Sequence, residues 1–580
     1  MLVKPAIHNH TVMKRIKIST GISNRNPGYY PEITEKRAQQ MMISRSTTFS
    51  RYIATIVMFF VFTAASFSQV NGDYRTRASG SWNDNNTWQV YSGGAWVNSL
   101  PGDFPGAAAG AGTVNITGGF TASVTGNVPN PVAAITFAGA AQSNVIDFTG
   151  AFTLNVTGQI TINPPTNNNF SNNLGVNSGT VTCASLSSTN SGHDTRICLV
   201  TISSGTLTVN GDMIMGNNSV RTRVDFSGAG SLIISGNFVT GTLAGSAGAS
   251  VYTAGNFTPS TYTVSTSTVF LNGINQTVSS ATFFNLVTSN AGVKTLYNNN
   301  VTVGGNLTLN NSNLAFTGTQ ARSLAVVGNL TGNGFIDMSP GNHAHILTLA
   351  GITNQPAGIV VGTAASRVEY VRAGNQEIFA SPDYRSITIN GGGDKSLNGN
   401  VSMTGTLTLT NGRVVLGDYD FSLNGTAAIG SYAATRYIVT DGNGQLKKLF
   451  ASGATAAYVL PIGDGSNYSP VSLTMSANST SRTIGVNVTD AQHPSDGTAD
   501  NFISRYWSFS NDQAGTYTYT ASFTFAPADL TGAYASLRVN RWDGIRWTQY
   551  NTSGGSPTIT VTGVNEITAP LDGIDFTGRV

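Results

Sequence analysis

Few side chains in this 580-residue chain have both the type and the spacing that chemistry requires. Asp418-Tyr419-Asp420 carries two carboxylates two residues apart, so an extended backbone would aim both the same way. That is the arrangement of an acid/base pair or of a calcium site, and the alternative is a solvated turn. His343-Ala344-His345 sets two imidazoles on one side of a strand, a spacing that chelates a transition metal. No third ligand lies near them in sequence, and the preceding Pro340-Gly341 fits surface histidines on a turn equally well. Asp441-Gly-Asn443-Gly-Gln445 and Asp464-Gly465 are oxygen-rich loops that do not complete a calcium-binding pattern, so calcium is the one cofactor left open. There is no phosphate loop, no Gly-x-Ser-x-Gly elbow and no Cys-x-x-Cys pair.

The two cysteines, Cys183 and Cys198, both sit in strand-like contexts. They can close a disulfide in an oxidising compartment, or remain two buried thiols acting as small apolar side chains. Trp507, Trp542 and Trp547 can build a sugar-stacking platform, or pack in a sheet core, as aromatics placed with period two commonly do. Thr-x-Thr runs such as Thr404-Gly-Thr406-Leu-Thr408 suggest a water-ordering face, but Asn and Gly interrupt any regular array.

The elements that must position these residues are strands. Charged residues are only 10 % of the chain and glycines number 66, against about 25 % charged residues in an ordinary domain. Long salt-bridged helices are thereby excluded, and no 3.6-residue periodicity persists after residue 70. A hydrophobic content of 40 % still supports a folded core.

A short pattern recurs: apolar, any, apolar, any, Gly, polar, apolar. It begins at Leu154, Leu207, Leu232, Val301, Leu324 and Val401, with a looser copy at Val251. The six strict copies start 53, 25, 69, 23 and 77 residues apart, near 2, 1, 3, 1 and 3 multiples of one unit. Ten units over 401 − 154 = 247 residues give about 25 residues each. At about 3.3 Å per residue, that length makes three short strands with their turns, one coil of a parallel β-solenoid. Leu, Val, Ile and Phe then face inward and Thr, Ser and Asn outward. The repeated Gly is expected to supply a corner with positive φ, and the Asn beside it to stack in a ladder.

A longer repeat overlies this one. Asn275-Gln276 returns as Asn375-Gln376, Lys294-Thr-Leu296 as Lys395-Ser-Leu397, and Leu307-Thr-Leu309 as Leu407-Thr-Leu409. The register is 100 residues with one compensated insertion, which the coil length makes about four coils.

After about residue 430 aromatic residues alternate with period two, as in Tyr517-Thr-Tyr519 and Phe523-Thr-Phe525. Asp543-Gly544 reads as a type I′ hairpin turn. The expected organisation is therefore an all-β chain: an N-terminal cap over 69–110, a solenoid over 111–429, and an antiparallel β-sandwich over 430–580.

Residues 1–68 read as an export presequence. Arg45 and Arg51 precede the apolar run Ile53 to Phe62, and Ser66-Phe-Ser68 offers a cleavage site, with translation expected to start at Met41 or Met42. The run is too short for a membrane span. This segment holds nine Lys/Arg and two Asp/Glu, so the remainder carries 30 − 9 = 21 basic and 27 − 2 = 25 acidic side chains, a net of −4. A mildly acidic surface without basic runs argues against nucleic-acid binding.

Several of these stretches resemble surface proteins of Bacteroidetes exported by type IX secretion. The resemblance rests on Gly80-Ser-Trp82-Asn83 with Thr87-Trp88, on the Gln276 and Gln376 blocks, and on Leu460-Pro-Ile-Gly-Asp464-Gly. It continues through Arg505-Tyr-Trp507, Arg541-Trp-Asp-Gly544 and Trp547. It implies a sorting domain after the sandwich, and the chain stops at Asp575 to Val580, where such a domain would begin. Together these readings point to a secreted or cell-surface structural or adhesive repeat protein without catalytic activity, meeting surface glycans or other surface proteins. The alternatives are a carbohydrate-binding module and a polysaccharide-active β-helix enzyme.

Overall fold

Alternation of apolar and small polar residues makes each short segment a strand with one face to pack. Leu232 and Ile234 point into the core, and Ser231 and Ile233 point out. The computed structural model describes residues 69–580 apart from 280–281, 297–299, 441, 498–499 and 567–570. The expected export presequence and its expected start site lie outside the described residues, as does Asp441. Described helix is limited to 3₁₀ turns such as Asn85–Thr87 and Pro340–Asn342.

Strands stack in parallel into three faces, each coil supplying one strand to every face. One coil runs through Gln159–Ile162 on the first face, Phe170–Asn177 on the second and Thr180–Cys183 on the third, and Ser185–Ser188 then returns to the first. A coil averages about 23 residues, slightly fewer than the sequence period suggests. On the third face the inward rungs Val181, Leu207, Leu232, Val251, Val269, Leu286, Leu307 and Leu330 stand directly above one another. The first and second faces are built in the same way, for example Ile160 over Ile135 and Val200 over Leu174.

Asparagine ladders join the coils at the turns, as the sequence suggests. Asn306 N–H donates to Asn285 Oδ1 at 2.9 Å, Asn329 N–H to Asn306 Oδ1 at 2.9 Å, and Thr353 N–H to Asn329 Oδ1 at 3.1 Å. The repeated glycines act differently from expectation. None of Gly158, Gly211, Gly236, Gly305, Gly328 and Gly405 has positive φ. Their role is close approach between coils: a Cβ on Gly236 would lie 2.2 Å from Asp212 Oδ1, and one on Gly328 would lie 2.4 Å from Gly305 O.

The long repeat is rotated about the solenoid. Gln276–Val278 lies on the first face, beside Phe257–Thr263 and Val293–Leu296. Its counterpart Gln376–Ile378 lies on the third face, where Asn354 Nδ2 donates to Glu377 O. Val301–Val303 is on the second face, but Val401–Met403 is on the first. In chain order fourteen strand steps among the described residues separate Gln276–Val278 from Gln376–Ile378. With three strands per coil, 14/3 is four and two-thirds coils, rather than about four.

Parallel pairing continues past residue 430, to Ile438–Val439 against Ile462–Gly463. Leu446–Phe450 pairs in parallel with Phe421–Leu423 on one side and antiparallel with Arg482–Thr489 on the other, so it carries the sheet from the solenoid into the sandwich. One sandwich sheet continues through Tyr506–Asn511, Leu571–Arg579 and Arg538–Trp542. The other orders Tyr458–Leu460, Val471–Asn478, Tyr517–Thr524 and Thr558–Glu566. Trp507, Phe509, Phe523 and Phe576 interlock between the sheets at ring distances of 5.0 to 5.9 Å. At the other end Trp82 and Trp88 pack edge-on at 4.9 Å and are fully buried.

Candidate functional site

The Asp418 and Asp420 carboxylates are separate rungs of coil-to-coil ladders. Asp418 Oδ1 accepts from Asn443 Nδ2 at 3.0 Å. Asp420 Oδ1 accepts from the Gln445 N–H at 3.0 Å, and its other oxygen pairs with Lys447 Nζ at 2.6 Å. Asp420 N–H in turn donates to Asn400 Oδ1, so this aspartate replaces an asparagine in a ladder. The geometry is that of an ordered turn with its oxygens engaged.

His343 and His345 do not form a chelating pair. His345 is fully buried: Nδ1 accepts the Arg322 N–H at 3.1 Å, and Nε2 meets Pro340 O at 3.1 Å, which fixes the Nε2–H tautomer. His343 Nε2 meets Gly318 O at 3.0 Å, and the two rings stand perpendicular at 6.1 Å. Among the described residues no group of three His, Cys, Asp or Glu side chains converges as a metal site would need.

Cys183 and Cys198 are free, buried thiols rather than a disulfide. They occupy the third and second faces respectively, Cys183 in register with Val209 and Cys198 with Asn172 and Thr222. Burial pushes both thiols up to about 12, which keeps them protonated and unreactive.

Trp542 and Trp547 face each other across a hairpin at 5.2 Å, tilted by 50°. The loop between them is Asp543-Gly-Ile-Arg546, four residues rather than the expected two, with Asp543 Oδ1 accepting the Ile545 and Arg546 N–H groups. The rings close over the buried His493, 5.8 and 4.8 Å away, whose Nε2 contacts Asp575 at 3.0 Å. Arg579 covers Trp547 at 4.8 Å. Tilted, half-buried rings around a histidine do not present the coplanar faces a sugar platform needs.

Two arrangements escape sequence reading in part or in whole. The first joins the duplicated blocks of the long repeat. Gln276 Nε2 donates to Thr253 O and Gly255 O, and in the next coil Lys294 Nζ enters a cage of Gly273, Ile274, Asn290 and Ala291 carbonyls. Lys395 repeats the cage with Arg372 O, Gly374 O and Gly392 O, at 2.8, 2.7 and 2.5 Å. Burial, with a smaller push from Arg372, lowers Lys395 to about 8. The repeat spacing marks these residues and their alternation with Val278, Leu296 and Leu397 places them inward, but nothing in it reveals the carbonyl cage.

The second arrangement surrounds Arg505, which is fully buried. Its guanidinium reaches Asp464 at 2.5 Å, Asp529 at 2.7 Å and Asp490 at 2.9 Å. Burial pushes the Asp464 carboxyl up, but the Ser466 and Asn467 N–H groups and Arg505 outweigh it and hold it below its ordinary value. Asp490 stays raised, because burial and the two neighbouring aspartates exceed the pull of Arg505. Asp464 therefore gives its oxygens to an arginine and a turn, not to a calcium loop.

No protein family matches this chain, and no curated protein does. Among solved structures it is matched to the enzymatically active domain of tailspike protein 4 of bacteriophage CBA120. Identity is 11 %, the match covers 74 % of this chain and 62 % of that one, and the TM-score is 0.19. The matched chain is an enzymatically active domain, and the expectation that the present chain is without catalytic activity is withdrawn as a correction. At that TM-score no site residue or substrate is transferred. Among the described residues no helix is long and apolar enough to cross a membrane.

Proposed function

We propose that the chain is an extracellular or cell-surface repeat scaffold that adheres through the outer faces of its solenoid, with surface glycans or surface proteins as partners. The observation that carries this reading is the use of the polar side chains. Asp418, Asp420, His345, Lys294 and Lys395 are each bound into neighbouring coils, while the third face from Asn155 to Gln355 presents uncharged side chains outward. Such a stack extends by adding coils and keeps a uniform surface, which suits contact with an extended partner. Export by the presequence, with cleavage after Ser68, and the resemblance to type IX-exported surface proteins support the location. In this reading residues 69–110 cap the solenoid and 111–429 form its body, whose parallel strands run on to Ile462–Gly463 within the 430–580 segment that also builds the sandwich.

A glycan array and a panel of immobilised extracellular proteins, probed with the purified full chain, test the proposal. Saturable binding to at least one member is expected. Binding to none overturns the reading.

A further inference from the structure

The third face carries an outward ridge that the ladder scheme does not explain. Ile233, Tyr252, Phe270 and Val287 are in direct register on four successive coils. The Tyr252 and Phe270 rings stack in parallel at 4.2 Å and 7°. Elsewhere on this face the same outward column holds Thr182, Thr208, Thr308 and Thr331. Apolar residues on the solvent side of a strand gain nothing from the solenoid core, so four in a row mark a surface with another use.

The surroundings of the ridge define its chemistry. The outward column from Asn155 to Gln355 contains no charged side chain. The second face differs, with the outward ion pairs Arg223–Asp225 and Arg367–Glu369. The column two residues before the ridge is Ser231, Ser250, Thr268 and Asn285. The hydroxyls of Ser231, Ser235 and Ser250 and the Tyr252 phenol bond to no other described residue, unlike the ladder asparagines. Asn272 Oδ1, at the ridge's edge, is buried and unpaired.

From this we infer that the ridge is a binding strip for a neutral polysaccharide. Apolar C–H surface on a sugar ring would pack on the outward ring edges of Tyr252 and Phe270, whose inner faces cover each other, and on the Ile233 and Val287 methyl groups, and its hydroxyls match the flanking uncharged donors and acceptors. Lack of charge disfavours anionic polymers, which need cations, and phosphate-bearing partners. Four coils at about 4.8 Å spacing give the strip a length of about 14 Å, enough for a short run of sugar units. The inference rests on the glycan-binding half of the adhesive reading and places it on one face.

Affinity electrophoresis of the full chain through gels containing neutral glucan, xylan or mannan, or anionic alginate or polygalacturonate, provides the test. Retardation by at least one neutral polymer is expected, and none by the anionic ones. The double variant Tyr252→Ser with Phe270→Ser should weaken binding at least tenfold. Ser250→Lys, which leaves the ring stack in place, should do the same without lowering the melting temperature. Equal retardation of wild type and both variants would refute the strip while leaving glycan adhesion standing. Retardation only by anionic polymers would refute the neutral occupant. Retardation by no polymer would also refute it, and protein binding on the panel above would then be what remained of the adhesive reading.

Discussion

Lys294 and Lys395 lie one duplicated block apart in sequence and on different faces of the solenoid, yet each buries its ammonium in a cage of backbone carbonyls. The cage travels with the sequence block rather than with the position around the coil. It serves as a local lock between consecutive coils, independent of which face it stands on.

Removing the ammonium should therefore weaken the stack. Lys395→Met leaves three carbonyls of Arg372, Gly374 and Gly392 without their donor, at an expected cost of about 3 kcal/mol. The pH dependence has a definite sign. The folded group releases its proton near pH 8 and the unfolded one nearer 10.5, so the folded state holds fewer protons in that window. Wild type should gain stability relative to Lys395→Met as the pH rises from about 8 to 10, in denaturant titrations. A loss of stability over that window would mean that the carbonyls hold the proton more strongly than burial expels it, overturning the lowered titration.

Ile234 and Ser235 are neighbours with opposite fates, one in the core and one exposed. Ile234→Asp should cost several kcal/mol by burying an unpaired charge, and Ser235→Asp less than about 0.5 kcal/mol. Comparable thermal shifts for the two would overturn the inward assignment.

The thiols give a chemical check on the core. Cys183 and Cys198 should resist iodoacetamide in the native protein at pH 8 and take two labels after denaturation, as read by intact mass. Reductant should leave the melting temperature unchanged. A native mass lacking two protons, with no labelling after denaturation, would show a disulfide instead.

Asp420 acts as a ladder acceptor, so its amide should replace it well. Asp420→Asn keeps the oxygen that faces the Gln445 N–H and loses only a part-exposed ion pair with Lys447, an expected loss under about 0.5 kcal/mol. Asp420→Ala removes the acceptor and should cost about 1 kcal/mol. Thermal unfolding of the two variants separates these outcomes, and equal losses would remove the ladder role.

Much of this architecture is legible in sequence because it is written locally. The apolar positions of Leu232 and Ile234, the Asn after Gly236, Gly305 and Gly328 and the Gln276 to Lys294 spacing all follow from a two-residue alternation and a short period. The rotation of the long repeat is not legible, since the coils between Gln276 and Gln376 are shorter than the sequence period of about 25 residues, and elsewhere some strands turn a corner without a break. Phe238–Ala244 and Ser386–Leu397 each serve two faces as one continuous strand, so residue count does not give strand count. The Arg505 cluster is equally hidden, its aspartates lying 41, 15 and 24 residues away. The tryptophans of the sandwich are evident as aromatics, but only the fold shows that Trp542 and Trp547 enclose His493.

Adhesion itself is the most direct test of the central claim. Cells displaying the full chain, placed under shear flow over surfaces coated with polysaccharides or extracellular proteins, should be retained at least several-fold better than cells with an empty display anchor. Soluble full chain should compete the retention away. Retention equal to the empty-anchor control on every surface, with the chain shown to be displayed and folded, would contradict the account.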